Sequence, residues 1–339
     1  NRTDPLPGSS IRDTAGAIVW LPDGNRPVSR SRLPPGLSAT QRNRGFQANN
    51  HRVSIYYFSG TGNCLAVAHA LAEQVGGISV AIRQELIGHY DTATPDLVGV
   101  VFPAYLAPLS GVPLIVERFV RSIIAIDSRR IFAVCTCGGY EIVNAVPALE
   151  SFAQTVRTLG GRVFAQYSLR MPMNNLDYDH IPVPIERDTS VILTRSERGV
   201  RDIAFRVLAG RRARHQLWRS AVNALLLPMY AALRRSCLKS LRQYAHETAD
   251  AKLTFRELIP RTDRSIEVND HCNGCGVCAK VCPVGNIRIV DKRPRWSGNC
   301  EMCFACDEWC PREAVRHWGR AKGRKYHHPD VTLRDMIPS

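Results

Sequence analysis

The stretch SIYYFSGTGNCLAVAHALAE, residues 54–73, decides the fold class of this chain. It joins an apolar, aromatic-rich segment through a short glycine turn to a helix-like pattern. A strand, a glycine turn and a helix N-terminus form a common phosphate site, because free backbone N–H groups point at the anion. The stretch therefore predicts the first strand and the first ligand loop of an α/β domain.

Further apolar strands and helix-like segments alternate after this stretch. Continuous apolar runs such as LVGVVFP, residues 97–103, are typical of strands buried on both faces of a parallel sheet. The alternation predicts a doubly wound, five-stranded parallel sheet that binds ligands at the carboxyl ends of its strands. The predicted strands are 53–58, 78–82, 97–103, 130–139 and 161–171, and the predicted helices are 63–74, 113–123 and 146–160.

The glycine loop itself restricts the kind of phosphate. A dinucleotide fingerprint needs a third glycine, and Leu65 stands at that position. A Walker A loop needs a lysine followed by Ser or Thr, which the loop lacks. What remains is a loop of Ser59, Thr61 and Asn63 with free amides at a helix start. This suits a single phosphate monoester such as the tail of FMN.

Eight of the twelve cysteines lie between residues 272 and 310, in two runs of the form C-x2-C-x2-C-x3-C-P that repeat at an offset of 28 residues. Three cysteines at this spacing can hold three corners of a [4Fe–4S] cubane, and the fourth, followed by proline, reaches the other cluster. We therefore predict two clusters with crossed ligand sets. The first set is Cys272, Cys275, Cys278 and Cys310, and the second is Cys300, Cys303, Cys306 and Cys282.

A pair of structural zinc sites is the alternative for these cysteines. Zinc prefers two C-x2-C knuckles from separate turns over three cysteines in one tight loop, so the spacing favours iron–sulfur clusters. Pro283 and Pro311 complete the pattern, which resembles that of the bacterial-type ferredoxins with two [4Fe–4S] clusters over about residues 263–317. His271 is interpreted as a surface neighbour of the first cluster, not a ligand.

With iron–sulfur clusters predicted, the glycine loop is similar to the phosphate loop of flavodoxins. The resemblance implies two flavin-flanking loops after the third and fourth strands. It implies that Tyr105 stacks on the flavin, with packing on the sheet edge as the alternative. It extends to a family that fuses a flavodoxin-like domain, a helical connector and a two-cluster ferredoxin, over about residues 52–315. The FMN-binding residues implied are Ser59, Gly60, Thr61, Gly62, Asn63, Cys64, Pro103, Ala104, Tyr105, Thr136, Cys137, Gly138 and Gly139.

Four cysteines lie outside the two runs. Cys64 stands where flavodoxin loops usually have Thr or Ser, and a thiol is a poorer hydrogen-bond donor than a hydroxyl. Cys64, Cys135 and Cys137 are either redox-active or small apolar residues of a helix start and a strand end, and we favour the second interpretation. Cys237 is interpreted as a helix core residue.

The net charge of +15 is concentrated in the middle of the chain. Residues 195–242 contain twelve Arg or Lys and two acids. The first interpretation is a helical hairpin, packed on the sheet domain, with a solvated basic face. Its interleaved apolar residues include Ile203, Val207, Leu217, Leu225 and Leu233. A docking surface for an acidic redox protein is the second interpretation. No zinc finger or RNA-binding motif accompanies the charge, so no nucleic-acid partner is expected.

The predicted organisation has five parts. Residues 1–50 form a disordered extension, 51–190 the flavodoxin-like FMN domain, 191–262 a basic helical connector, 263–320 a small α+β ferredoxin domain, and 321–339 a basic tail. No secretory signal is visible and the longest apolar stretch, residues 221–233, is too short to span a bilayer. We expect a cytoplasmic protein that is not integral to a membrane.

The predicted function is electron transfer between FMN, two [4Fe–4S] clusters and a redox protein partner. An electron carrier is favoured over an enzyme because no paired carboxylates or Ser–His–Asp arrangement can be identified. The first alternative is an FMN-dependent reductase of a small molecule, supplied with electrons by the ferredoxin domain. The second is a redox-sensing or nucleic-acid-binding regulator.

Overall fold

The computed structural model describes residues 11–12, 18–19, 53–92, 95–173, 188–211, 219–317 and 325–337; the side chains of 11–12, 18–19, 219–224, 226 and 227 are not described. Most of the predicted N-terminal extension and part of the basic tail lie outside these ranges. The strands are β1 Ile11–Arg12, β2 Ile18–Val19, β3 Val53–Tyr57, β4 Ile78–Ala81, β5 Leu97–Pro103, β6 Arg130–Cys137, β7 Arg162–Arg170, β8 Glu267–Val268, β9 Ile287–Val290, β10 Arg293–Trp296 and β11 Val315–Arg316. The helices are α1 Asn63–Val75, α2 Leu114–Arg121, α3 Glu141–Thr158, α4 Thr189–Leu208, α5 Arg219–Tyr244, α6 Phe255–Arg261, α7 Val277–Val281, α8 Ala305–Glu308 and α9 Leu333–Met336.

Strands β3 to β7 form the predicted five-stranded parallel sheet, in the order β4-β3-β5-β6-β7. Numbered from β3, this is the 2-1-3-4-5 order of the flavodoxin-like doubly wound fold. The central strands β3, β5 and β6 are buried except at Pro103 and Arg130, because helices cover both faces. The sheet prediction is confirmed, and the loops after β3, β5 and β6 meet at one edge.

Helix α3 begins earlier than predicted. The sequence predicted a start at residue 146, next to Pro147, but the helix begins at Glu141 and contains that proline. Proline has no N–H to donate to the carbonyl four residues earlier, which belongs to Val143. The hydroxyl of Tyr230 on α5 donates to that carbonyl at 3.2 Å. A distant side chain thus replaces the missing intrahelical bond.

The basic connector is only partly packed on the sheet domain. Helix α4 buries Ile203 and Val207 against the sheet domain, as its pattern predicted. On α5, in contrast, Leu225 is 81% exposed and Leu233 is 39% exposed. The predicted packing is therefore wrong for these two leucines, although Tyr230 between them contacts α3, and Leu217 lies outside the described residues. Among the described residues, no helix has the length and apolar character required to cross a bilayer.

The C-terminal domain repeats one loop conformation twice. Gly274 and Gly276 have left-handed backbone conformations, with φ of 72° and 77°. Met302 and Phe304, 28 residues later, take the same region with φ of 54° and 61°. Left-handed backbone costs a residue with a side chain roughly 1–2 kcal/mol. The cysteine loop therefore imposes its shape even where the sequence supplies no glycine.

Candidate cofactor sites

The first predicted cysteine set surrounds one cavity at the surface. The cavity measures about 300 Å³, including its space open to solvent. Three of its cysteines come from the first run and the fourth, Cys310, comes from the second run, as the crossed assignment requires. Cys275 is exposed and Cys272 is partly exposed. The cysteines lining this cavity are Cys272, Cys275, Cys278 and Cys310.

The second set surrounds a separate cavity of about 320 Å³, including open space, which is lined by residues between 282 and 317. Within the described residues, no three His, Cys, Asp or Glu side chains are grouped as ligands of one metal ion. A cubane instead takes one cysteine per iron, so its ligands surround a volume. Burial raises the pKa of the Cys300 thiol to about 12, so these ligands must lose protons when a cluster binds. The cysteines lining this cavity are Cys282, Cys300, Cys303 and Cys306.

Backbone N–H groups point at the cysteine sulfurs in both runs. The amide of Asn286 donates to Cys282 Sγ, and the amide of Ala314 donates to Cys310 Sγ, both at 3.3 Å. These pairs occupy equivalent positions in the two repeats, offset by the same 28 residues. Hydrogen bonds to sulfur raise the reduction potential of an iron–sulfur cluster by stabilising its added negative charge. The repeat therefore supplies each set with the same polar support.

The second cysteine loop is seated directly on the glycine loop of the sheet domain. A Cβ added at Gly60 would stand 2.1 Å from the carbonyl oxygen of Cys303, so glycine is required for this approach. The indole of Trp309 donates to the Gly60 carbonyl at 2.9 Å. At the next sheet loop, Arg83 donates to the carbonyl of Cys282 at 3.1 Å. The second cavity therefore adjoins the edge of the sheet where the strand-end loops meet.

A buried ion pair reinforces this contact. Glu301, between two cysteines of the second set, has a side chain that is 1% exposed. Its carboxylate accepts from the guanidinium of Arg118 on α2 and, at 3.0 Å, from the backbone N–H of Ile115 in the first turn of that helix. Burial raises the pKa of Glu301, whereas the charge of Arg118 acts to lower it. No spacing or motif in the sequence points to this residue.

The glycine loop has the features of an anion site. Gly62 takes a left-handed conformation, φ 95°, immediately before α1. Its N–H donates to Ser59 Oγ at 3.1 Å, whereas in the described part of the chain no acceptor faces the N–H groups of Gly60, Asn63 and Cys64. Free N–H groups at a helix start favour an anion. The residues present therefore fit a phosphate monoester at this loop.

Cys64 is directed toward the carboxyl end of β6. Its Sγ is hydrogen bonded to Thr136 Oγ1 at 3.1 Å, and burial raises the pKa of the thiol to about 12. Cys135 and Cys137 are also buried. Because the thiolate is the reactive form, this environment agrees with the interpretation of these cysteines as small apolar residues. Cys237 is half-buried beside Leu241.

The two predicted flavin-flanking loops touch each other and other parts of the chain. The N–H of Ala104, next to Pro103, donates to the carbonyl of Thr136 at 2.8 Å. Tyr105 lies edge-on to Phe58, with ring centroids 6.1 Å apart, and its hydroxyl is beside Gly60. The structure brings these residues to the same edge as the glycine loop, but stacking of Tyr105 on a flavin stays a prediction.

The second flanking loop is closely packed around its glycines. A Cβ at Gly138 would meet Met173 at 2.8 Å, and one at Gly139 would meet the Asn144 side chain at 2.6 Å. The turn that contains Met173, residues 171–175, is described only to residue 173.

Comparisons with known proteins found one family match and a set of similar solved structures. Residues 264–311 match the family model of the 4Fe-4S dicluster domain. Similar solved structures include a flavodoxin from Streptococcus pneumonia TIGR4, at 14% identity over 45% of this chain and 97% of that chain with a TM-score of 0.31. Another is a Fusobacterium nucleatum flavodoxin bound to flavin mononucleotide, at 9% identity over 46% and 96% with a TM-score of 0.31. A third is a flavoprotein from Bacteroides eggerthii, at 17% identity over 35% and 89% with a TM-score of 0.29. No curated protein matches the chain.

The class of protein follows from the strand order and the matched domain. The 2-1-3-4-5 order of the parallel sheet defines a flavodoxin-like domain. The family match assigns residues 264–311 to a 4Fe-4S dicluster domain. The chain is an iron–sulfur protein that joins these two domains.

Replacing Gly60 with alanine is expected to separate the two domains at this contact. The new methyl group would overlap the carbonyl oxygen of Cys303, and a backbone carbonyl cannot rotate away. Overpacking of this kind costs about 1–3 kcal/mol.

For the Gly60→Ala variant we expect a lower thermal midpoint and a changed tryptophan emission, because Trp309 loses its acceptor. Gly76→Asn is the matched control, since a Cβ there meets nothing within 4 Å and asparagine tolerates its left-handed backbone. Equal effects of the two variants would contradict the contact.

Proposed function

We propose that this protein is an electron-transfer iron–sulfur flavoprotein with FMN at the glycine loop and two [4Fe–4S] clusters at the two cysteine sets. The observation that supports this most is the contact between Gly60 of the loop and Cys303 of the second set. Electron transfer requires cofactors to lie close together, and this contact makes the two binding sites neighbours. When bound, FMN supplies the conversion between two-electron and one-electron chemistry.

In this proposal, three groups of residues bind the phosphate of FMN, the cluster next to the flavin and the cluster at the surface. The N–H groups of Gly60, Asn63 and Cys64 hold the phosphate of FMN. The second cysteine set holds the cluster next to the flavin and is shielded from water, since Cys282, Cys303 and Cys306 are buried. The first set holds the cluster at the surface, because Cys275 is exposed. The order of sites from the sheet to the surface supports a relay through the second cluster and then the first.

The proposed partner is an acidic redox protein that docks beside the first cluster. Over residues 267–316, exposed basic side chains outnumber exposed acids. Arg293 is paired with exposed Asp270 at 3.0 Å, whereas other basic side chains extend into solvent. Complementary charge accelerates association and is weakened by salt. Arg312 lines the first cavity, and the exposed basic residues of the segment are Lys280, Arg288, Lys292, Arg295, Arg312 and Arg316.

Anaerobic purification followed by cofactor assay tests this function. We expect about eight iron and about eight sulfide per chain from two [4Fe–4S] clusters, together with one released FMN. A full iron content without FMN would contradict the flavin site and leave the iron–sulfur sites intact. About four iron would contradict the second cluster. Absorption and EPR spectra of the same sample identify the cluster type.

A second candidate function is an FMN-dependent reductase of a small molecule. A cavity of about 300 Å³, including open space, lies between the first flavin-flanking loop and α6. Its wall includes Tyr105, Phe255 and Met302, with Glu301 as the charged member. A reductase predicts that small oxidants reoxidise the reduced protein at a saturable rate. An electron carrier predicts rapid reoxidation only by another redox protein.

Threonine in place of Cys64 is expected to tighten FMN binding roughly fivefold. A hydroxyl is a better hydrogen-bond donor to phosphate than a thiol, and one such bond contributes about 1 kcal/mol. The measurement is the Kd of FMN, from flavin fluorescence quenching, with iron content as the internal control. Unchanged or weaker binding would show that side chain 64 serves Thr136 and not the phosphate.

A further inference from the structure

The segment Lys325–Ile337, here called the C-terminal strap, contacts both domains. At its start, Lys325 Nζ donates to the carbonyl of Cys310 at 2.7 Å. The backbone N–H of Tyr326 donates to Glu308 Oε2 at 3.0 Å. The His327 ring stacks on Trp309, with centroids 3.9 Å apart and planes at 11°. This end of the strap is attached to the iron–sulfur domain.

The next residues of the strap lie on the glycine loop. The hydroxyl of Tyr326 donates to Asn63 Oδ1 at 2.8 Å, and the N–H of His328 donates to the Thr61 carbonyl at 3.0 Å. Val331 covers Gly62, where an added Cβ would stand 3.0 Å from its side chain. Loop residues 61, 62 and 63 each therefore contact the strap.

These contacts bury the outer side of the loop. Thr61 is 2% exposed, and His328 and Val331 are also buried. The carbonyls of Gly60 and Thr61 both accept hydrogen bonds, from Trp309 and from the strap. Among the described residues, the N–H groups of Gly60, Asn63 and Cys64 have no acceptor, so they stay available to an anion. Fixing such donors in advance lowers the entropy that binding costs.

We propose that the C-terminal strap retains the flavin: it holds the glycine loop in its phosphate-binding shape and must detach before FMN can leave. This inference rests on the proposed function, because it takes FMN as the ligand of the loop. Tyr326 and His328 are positioning residues, since they act through the Asn63 side chain and the Thr61 carbonyl of the loop.

The test measures the dissociation rate of FMN from the full chain and from two variants. One variant ends at Arg324, and the other is Tyr326→Phe, which keeps the ring and loses the hydrogen bond to Asn63. The release of FMN is monitored after dilution through the rise in flavin fluorescence. We expect at least tenfold faster release from the truncated chain and a smaller increase for Tyr326→Phe. Arg334→Met is the matched control, because Arg334 is an exposed strap residue.

Two further measurements separate retention from general instability. The iron content of every variant should equal that of the full chain, and hydrogen exchange of a peptide spanning residues 59–66 should be faster only in the two strap variants. Release from the truncated chain at the rate of the full chain would overturn the proposal. If the full chain itself binds no FMN, the proposed function fails, and the retention role fails with it.

Discussion

Single serine replacements at Cys282 and Cys303 are expected to remove the same cluster, although the two cysteines lie in different runs of the sequence. Both line the cavity beside the sheet domain. Serine is a poor replacement because its oxygen is a harder ligand than the thiolate that iron–sulfur clusters take. Each variant should retain about four iron atoms of the about eight per chain. The measurement is the iron and sulfide content of anaerobically purified protein, with the EPR spectrum of the remaining reduced cluster.

Serine at Cys275 or Cys310 should instead leave the cluster at the buried cavity. The EPR spectra of the four variants should therefore form two matching pairs, Cys282 with Cys303 and Cys275 with Cys310. Cys237→Ser is the control, because this half-buried cysteine lies on α5 and outside both cavities. A Cys282→Ser spectrum that matches Cys275→Ser would mean that each cluster is held by one run, and the crossed assignment would be wrong.

Replacing Arg118 with methionine is expected to destabilise the contact between the domains. Glu301 would remain buried without its cationic partner, whereas methionine keeps much of the packing volume of arginine. Loss of one partner from a fully buried pair costs about 3–5 kcal/mol. Because the Arg118 side chain is 34% exposed, we expect about 2 kcal/mol, a decrease of about 4–8 °C in the thermal midpoint.

The matched control for this variant is Arg121→Met on the same helix. Arg121 is exposed, so its loss should leave the midpoint within about 1 °C, as for most surface substitutions. The double variant Arg118→Met with Glu301→Gln should recover part of the lost stability, because the buried charge is then absent. No recovery in the double variant would indicate that Arg118 acts through Gln84, to which it donates at 2.8 Å.

Much of the fold followed from the sequence because its strongest signals are local. The five strands are continuous apolar runs between glycines and helix starts, and the structure contains each of them within a few residues of the predicted bounds. The two cysteine runs also gave a local signal, since their spacing is the one that the geometry of a [4Fe–4S] cubane requires. The structure places Cys310 with the first run and Cys282 with the second run around two cavities, and cluster ligation by these two sets stays a prediction.

The rest depended on contacts between residues that are distant in the chain. The early start of α3 needs the Tyr230 hydroxyl, 87 residues from the carbonyl that Pro147 leaves without a donor. The bond from Tyr326 to Asn63 joins residues 263 apart. Left-handed backbone at Met302 and Phe304 is imposed by the cysteine loop and contradicts the local preference of those residues. The periodicity of apolar residues and the spacing of motifs do not predict such contacts between distant residues.

The exposed residues of α5 show a similar limit of predicting helix packing from charge and hydropathy. Its apolar residues predicted packing, but Leu225 extends into solvent. Apolar periodicity indicates that a helix can bury a face, and it does not identify the surface that covers this face. The packed end of α5, where Leu241 is buried beside α6, was not distinguished from the exposed end by composition.

The central claim is that flavin and clusters exchange electrons within one chain, through the contact of Gly60 with Cys303. The most direct measurement is anaerobic flash photoreduction of the FMN-loaded protein, with the flavin and iron–sulfur absorbance followed in time over a tenfold range of protein concentration. We expect the cluster absorbance to fall with a first-order rate constant that does not depend on concentration. A rate that rises in proportion to concentration, or clusters that stay oxidised while the flavin is reduced, would contradict the relay.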